Sequence, residues 1–178
     1  MAAGFAVYLV VGLFLVHRWV FTITSMGSGS MAPTLCSDVN APDRVLVDRL
    51  TPLLRAPVRG EIVHFQDEKG EWIMKRVVGL PGERVEIRDL HVLVDGKRLS
   101  GPLEVATRSY TNQGHMGPGV VVQVDAGHYY VMGDDTADSY DSRFWGALDR
   151  SAISGLARAV VWPPARAGFL APGAGGDR

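Results

Sequence analysis

A serine set between small residues is the first feature of this sequence that could do chemistry. Ser30 lies in residues 27–35, which read GSGSMAPTL. The small residues around Ser30 would let a peptide backbone approach its hydroxyl, and Pro33 stiffens the chain as it leaves the turn. A flexible Gly-Ser linker has the same composition, and the segment does not fit the G-x-S-x-G pattern of the α/β-hydrolases. Ser30 is therefore either a candidate nucleophile or a linker residue.

Two adjacent cations, Lys75 and Arg76, lie in residues 72–82, which read WIMKRVVGLPG. In a strand, Lys75 would share a face with Ile73 and Val77, and Arg76 would point to the other side. One of the two cations must then face apolar neighbours. Burial lowers the pKa of a lysine, so that it can act as a neutral general base near pH 7, whereas arginine cannot. The alternative is an edge strand whose two cations reach solvent.

Acidic and hydroxyl side chains are concentrated in residues 133–146, which read GDDTADSYDSRFWG. The D-x-D-x-D-G pattern with a closing glutamate, which marks an EF-hand calcium loop, is absent from them. These side chains could instead orient a base, and an ion pair between Asp141 and Arg143 could fix the loop. A further charged segment, residues 43–49, is most simply interpreted as a strand with charged ends.

Composition excludes several other kinds of site. Cys36 is the only cysteine, so a disulfide or a CxxC metal site cannot form within one chain. The five histidines show no HExxH or other paired ligand spacing. With a net charge of -1 and a hydrophobic content of 47%, the chain is neither disordered nor a general nucleic-acid binder. We expect no metal, no cofactor and no nucleic-acid partner.

The elements that must position these residues are short strands. The 21 glycines and 10 prolines, 31 of the 178 residues, favour turns and short strands over a helical bundle. Asp95-Gly96 predicts a tight hairpin, because that turn type needs positive φ. We predict an all-β domain over residues 24–162, an inserted loop over residues 100–119 and a disordered tail over residues 163–178. The predicted strands coincide with apolar, β-branched runs at residues 45–47, 62–65, 72–78, 85–87, 92–94, 120–124, 129–132 and 153–162.

The start of the chain has a different composition, since Arg18 is the only formally charged side chain before Asp38. As a helix, the uncharged residues 2–16 would cover about 22 Å of a hydrocarbon core of ~30 Å. The span suffices if the residues after it reach the headgroups, which predicts a membrane anchor over residues 1–23. A cleaved secretory signal and a buried core helix are the alternatives, although no Lys or Arg precedes the apolar stretch. Charge does not decide the orientation.

Together, these segments resemble the type I signal peptidase family, the membrane-anchored serine proteases that cut signal sequences from exported proteins. The resemblance covers roughly residues 5–162, and it implies a mainly antiparallel β-sheet catalytic domain with an N-terminal single-pass transmembrane helix. The motifs occur in the family's order: SGSMxPTL at residues 28–35, a D-x-V-x-V strand at 43–47, KRVVGLPG at 75–82 and GD…SxDSRxWG at 133–146.

The resemblance also implies the roles of the reacting groups. Ser30 would be the nucleophile and Lys75 the general base of a Ser/Lys dyad. The Ser30 backbone amide and the Ser28 hydroxyl would form the oxyanion hole. This mechanism needs neither a metal nor a cofactor.

Three further residues have supporting roles by the same resemblance. Ser139 would hold the amine of the base, and Asp141 with Arg143 would support the loop. The chain departs from the family at residues 135–138, which are Asp-Thr-Ala-Asp where the family usually has Asn-Arg-Asp-Asn. It also has Gly27 where the family often has proline. Neither departure removes a residue assigned to bond making or breaking.

The implied substrate is a preprotein whose signal peptide has small residues directly before the cut and two positions earlier, bound as an added β-strand. We expect a monomer that crosses the cell membrane once, in contact with the lipid bilayer, with its catalytic domain on the extracytoplasmic side. One alternative is an inactive anchored β-domain that binds extended peptides. Two enzymatic alternatives are an organellar inner-membrane peptidase with a narrow client list and a self-cleaving Ser/Lys repressor-type protease, although the predicted anchor argues against the latter.

Overall fold

The computed structural model describes residue 12 and residues 20–38, 40–99 and 109–171. The short helices in these ranges are α1 (Thr51–Leu54) and α2 (Ser142–Trp145), with single 3-10 turns at Gly29–Met31, Arg150–Ala152 and Pro164–Arg166. The strands are β1 (Phe21–Ser25), β2 (Arg44–Asp48), β3 (Ile62–Gln66), β4 (Trp72–Gly79), β5 (Arg84–Arg88), β6 (His91–Val94), β7 (Lys97–Arg98), β8 (Val121–Gln123), β9 (His128–Met132), β10 (Leu148–Asp149), β11 (Ile153–Trp162) and β12 (Gly168–Phe169).

These strands form two antiparallel sheets. The larger sheet has the order β1-β2-β11-β3-β4-β9-β10, with β12 also paired to β11. The smaller sheet has the order β7-β6-β5-β8. The prediction of a mainly antiparallel β-domain is confirmed, and strands far apart in sequence, such as β2 and β11, are neighbours in the larger sheet.

Alternating apolar residues explain why the larger sheet is buried on both faces. In β3, Ile62 belongs to one buried cluster together with Met74, whereas the next residue, Val63, belongs to another together with Val77. Successive side chains of a strand point to opposite faces, so each face packs against its own cluster. A third cluster joins the smaller sheet to the larger one, and its members include Val85, Ile87, Tyr130 and Met132.

The predicted hairpin at Asp95-Gly96 is confirmed. Asp95 has a φ of 51° and Gly96 a φ of 75°, and the two residues join β6 to β7. This backbone conformation favours Asp-Gly in tight hairpins. The Asp95 carboxylate also accepts a hydrogen bond from the backbone N–H of Arg84 at 3.0 Å, which ties the turn to β5.

The sheet begins earlier than the sequence predicted. Phe21–Ser25 forms β1 and pairs with β2, so residues 21–23 lie in the sheet and not in the predicted anchor. The remainder of that anchor lies outside the described residues, apart from residues 12 and 20. In the part of the chain that the structure describes, no helix is long and apolar enough to span a bilayer.

The sheet also ends later than predicted. Residues 163–171, assigned to a disordered tail, contain the 3-10 turn Pro164–Arg166 and strand β12. Phe169 pairs with Ala159 of β11, ten residues earlier, so strand pairing orders this segment despite its two prolines and Gly168. Residues 172–178 of the predicted tail, and residues 100–108 of the predicted inserted loop, lie outside the described residues.

Candidate active site

Ser30 lies in a tight turn between β1 and β2. The turn is the 3-10 segment Gly29–Met31, closed by a 2.8 Å hydrogen bond from the Ala32 N–H to the Gly29 carbonyl. Met31 and Leu35 are fully buried, so apolar side chains within the small-residue segment anchor the turn to the core. The segment is therefore an ordered loop and not a flexible linker. Ser30 itself is only 6% exposed.

Lys75 reaches this serine from β4. Its Nζ lies 2.7 Å from Ser30 Oγ and 3.1 Å from Ser139 Oγ, and the residue is only 3% exposed. Burial lowers the pKa of Lys75 to about 8, with a smaller opposing effect from the Asp141 carboxylate. The amine therefore has an appreciable neutral fraction near neutral pH. The alternative in which both adjacent cations reach solvent is wrong, since Arg76 is also buried.

The segment 133–146 orders the other side of Lys75. Ser139 Oγ donates a hydrogen bond to Asp141 Oδ2 at 2.7 Å, and the Gly133 N–H donates to the same oxygen at 2.9 Å. Arg143 binds Asp141 through Nε at 2.8 Å and Nη2 at 2.9 Å, and both side chains are completely buried. The predicted ion pair is thus formed, and it fixes the carboxylate that orients Ser139.

Gly133 allows this loop to pack directly against the Ser30 turn. A Cβ at Gly133 would lie 2.5 Å from the Ser30 carbonyl oxygen and would overlap Ser139 Oγ, so no larger residue fits. The Asp135 N–H also donates to the Ser30 carbonyl at 3.0 Å. In the segment that departs from the family, the Asp135 carboxylate accepts from the backbone N–H of Asp138 at 3.2 Å and so closes its own turn.

Ser28 lies at the open side of the arrangement. Its Oγ is 3.1 Å from Ser30 Oγ, and the residue is exposed, in contrast to Ser30 and Lys75. A hydroxyl in this position can donate to an oxygen that develops beside the nucleophile. The structure therefore brings Ser28, Ser30, Lys75 and Ser139 together, with Asp141 and Arg143 behind them.

Arg76 has a role that the sequence does not reveal. It binds Asp134 in a bidentate pair at 2.8 and 2.6 Å, and its Nη1 donates to the Gly60 carbonyl at 2.8 Å. Arg76 and Asp134 are both buried, so the pair ties β4 to the start of the loop that carries Ser139. The only sequence signal was the strand alternation, which places Arg76 opposite Lys75 without identifying its partner.

Asp43 is a second buried charge whose role the sequence does not reveal. It was interpreted as a charged strand end, but it is fully buried and accepts a 2.8 Å hydrogen bond from the Cys36 N–H in the loop after Ser30. Arg166, which lies in the predicted tail, forms an ion pair with the same carboxylate. Among the described residues, no group of three or more His, Cys, Asp or Glu side chains is placed to hold a metal ion.

A serine hydroxyl held against a buried amine on an antiparallel β-domain is the arrangement used by serine hydrolases with lysine in place of histidine. The model of the family described as "Signal peptidase, peptidase S26" matches residues 1–162. The chain therefore belongs to the signal peptidase family, and it is an enzyme, a serine endopeptidase.

Two relatives named as signal peptidases are similar to this chain over most of its length. The "Probable signal peptidase I-2" of Synechocystis sp. is 34% identical over 93% of this chain and 72% of its own length. "Signal peptidase I" of Leptolyngbya laminosa is 34% identical over 95% of this chain and 81% of its own length. The chain is also similar to a signal peptidase I from Enterococcus faecalis V583 that has been solved by crystallography. The sequence identity is 30% and the TM-score is 0.47, and the match covers 57% of this chain and 97% of the crystallised chain.

Proposed function

We propose that this chain is a membrane-anchored serine endopeptidase that cleaves N-terminal signal peptides from exported preproteins with a Ser30/Lys75 dyad. The observation that carries the proposal is the 2.7 Å distance between Lys75 Nζ and Ser30 Oγ inside a buried site. The substrate class rests on membership of the signal peptidase family.

The reaction begins with proton transfer from Ser30 to neutral Lys75. Ser30 Oγ then attacks the scissile carbonyl carbon, and the developing oxyanion accepts hydrogen bonds from the Ser28 hydroxyl and the Ser30 backbone N–H. Each such donor typically stabilises the transition state by ~3 to 4 kcal/mol. The protonated Lys75 donates its proton to the leaving amine, which leaves an ester on Ser30. Lys75 then activates the water that hydrolyses this ester.

The hydrogen bonds around Ser139 determine how the amine points. Because the Ser139 hydroxyl proton is donated to Asp141, its oxygen lone pairs face Lys75 and accept an N–H from it. The single lone pair of the neutral Lys75 nitrogen can then point at the Ser30 hydroxyl. Asp141 raises the pKa of Lys75 through its charge, and Arg143, which is paired with Asp141, offsets part of that effect.

We further propose that residues upstream of β1 anchor the enzyme in the membrane as a single span, with the catalytic domain on the extracytoplasmic side. Ser30 is only nine residues beyond Phe21, where β1 begins. A short connection of this kind would keep the nucleophile close to the bilayer, where the cleavage site of a signal peptide emerges. The substrate would have small residues near the cut and bind the monomeric enzyme as an added β-strand.

The test is preprotein cleavage by the full chain in detergent. Ser30→Ala and Lys75→Ala should each reduce cleavage to background, whereas Ser151→Ala and Lys69→Ala, which alter exposed residues outside the site, should not. Circular dichroism would check that each variant is folded. Cleavage that survives either of the first two substitutions would overturn the dyad. An unmutated chain that binds the signal peptide without cutting it would support the inactive binding domain instead.

A further inference from the structure

One buried residue closes both ends of the loop that carries Ser28 and Ser30. The backbone carbonyl of Asp43 accepts the Met26 N–H at 2.9 Å, and the backbone N–H of Asp43 donates to the Cys36 carbonyl at 2.9 Å. The Asp43 carboxylate also accepts the Cys36 N–H at 2.8 Å. Both the entry and the exit of the nucleophile loop therefore depend on the position of Asp43.

Arg166 holds that carboxylate from the far end of the chain. Its Nε and Nη2 bind the two Asp43 oxygens, each at 2.9 Å. The same Nη2 lies 3.3 Å from the Thr34 carbonyl and 3.4 Å from the Pro33 carbonyl, both in the segment after Ser30. Pairing of Phe169 with β11 holds the segment in place. The Arg166 guanidinium thus contacts both Asp43, which closes the loop, and the backbone of the loop itself.

Only arginine can make this set of contacts. A planar guanidinium can bind a carboxylate through two donors while a shared N–H reaches neighbouring carbonyls, whereas a lysine ammonium acts as a single point charge. The Asp43 side chain is completely buried, while 40% of the Arg166 side chain is exposed. Removing Arg166 would leave a buried carboxylate without its counter-charge, and the loop would move to hydrate it.

We propose that Arg166 is a positioning residue for the nucleophile, acting through Asp43 and the Pro33 and Thr34 carbonyls. The inference rests on the proposed role of Ser30. A misplacement of about 1 Å at a reacting atom costs on the order of 100-fold in rate. The segment after β11 therefore contributes to catalysis without touching substrate.

The test compares Arg166→Ala with a matched control, Arg55→Ala. Arg55 also binds a buried carboxylate through two donors, that of Glu61, and 43% of its side chain is exposed. It also donates to one backbone carbonyl, that of Ala56, outside the nucleophile loop. Glu61 keeps a second cation in Arg55→Ala, because Arg158 Nη1 lies 3.0 Å from its carboxylate. We therefore expect Arg55→Ala to lose no more thermal stability than Arg166→Ala. We expect a fall in kcat of about 100-fold with little change in KM only for Arg166→Ala.

Chemical rescue separates positioning from general destabilisation. Guanidinium ion, added well below the concentration that unfolds the protein, should restore part of the kcat of Arg166→Ala and leave the activity of Arg55→Ala unchanged. If Arg166→Ala does not fold, Arg166→Lys keeps the charge and should still lose kcat at nearly unchanged stability. Equal kcat losses in the two alanine variants, or no rescue, would overturn the positioning role. Cleavage by Ser30→Ala would instead overturn the proposed function itself.

Discussion

The charge state of Lys75 should set the pH dependence of cleavage. With a pKa of about 8, roughly one Lys75 amine in eleven is neutral at pH 7. At the ordinary lysine pKa of 10.5 the fraction would be about one in 3,000, so burial of this residue increases the neutral base by about 300-fold. In the proposed mechanism the neutral amine is the reactive form, so kcat/KM should rise about tenfold per pH unit below pH 8 and level off above it.

A second perturbation tests whether the inflection belongs to Lys75. The Asp138 carboxylate raises the pKa of Lys75 through its charge, and Asp138 is exposed. Asp138→Asn should therefore move the inflection to lower pH, and added salt should shrink the difference from the unmutated enzyme by screening the exposed charge. Asp125→Asn is the matched control, because Asp125 is also exposed and is not among the charges that act on Lys75.

The assay is kcat/KM for a signal-peptide substrate measured from about pH 5.5 to 10 at two salt concentrations. A profile that is flat between about pH 6 and 9, or one with a maximum near pH 5, would refute a lysine base. A shift of the inflection to higher pH in Asp138→Asn would refute the electrostatic explanation.

Three further predictions concern buried residues. Lys75→Met should abolish cleavage. Because it removes a buried amine, it should also raise the free energy of unfolding, measured in urea at pH 7, by up to about 3 kcal/mol. An unchanged free energy of unfolding would contradict a destabilising effect of the buried Lys75 charge. Gly133→Ala should lower kcat by about 100-fold by displacing the Ser139 side chain and the Ser30 carbonyl, and an unchanged kcat would contradict the requirement for glycine at this position. His64 is buried and its pKa is lowered to about 4, mainly by burial, so stability should fall from pH 6.5 towards pH 4 as the unfolded chain gains a proton first. His64→Phe should flatten this fall in melting temperature, and an equal fall would assign it to other groups.

Most of the strands could be predicted because their signals are local. Residues 72–78 were predicted as a strand, and β4 spans Trp72–Gly79. β-branched runs between turn residues mark such strands whatever their partners are. β12 could not be found in this way, because its two residues are ordered by pairing with β11. β1 was missed because Phe21–Ser25 directly follows the apolar start of the chain.

The residues of the candidate site also fall into two groups, those with a local signal in the sequence and those without one. Ser30 and Lys75 could be proposed from their segments and from the family resemblance, and the strand alternation placed a cation among apolar side chains. The partners of buried charges could not be proposed, since Arg76 meets Asp134 across 58 residues and Arg166 meets Asp43 across 123. Such pairs depend on the sheet order, which a single sequence does not encode in any local pattern.

The proposed reacting groups lie far apart along the chain, so the proposed hydrolysis depends on the folded sheet. Lys75 lies 45 residues from Ser30 and 64 from Ser139, so an extended polypeptide holds neither partner near the amine. There the amine is hydrated and almost fully charged at neutral pH, because its pKa returns to about 10.5. We therefore expect a newly synthesised chain to have no hydrolase activity until its strands pair into the sheet. Unfolding that separates Lys75 from Ser30 and Ser139 would therefore also abolish the proposed cleavage.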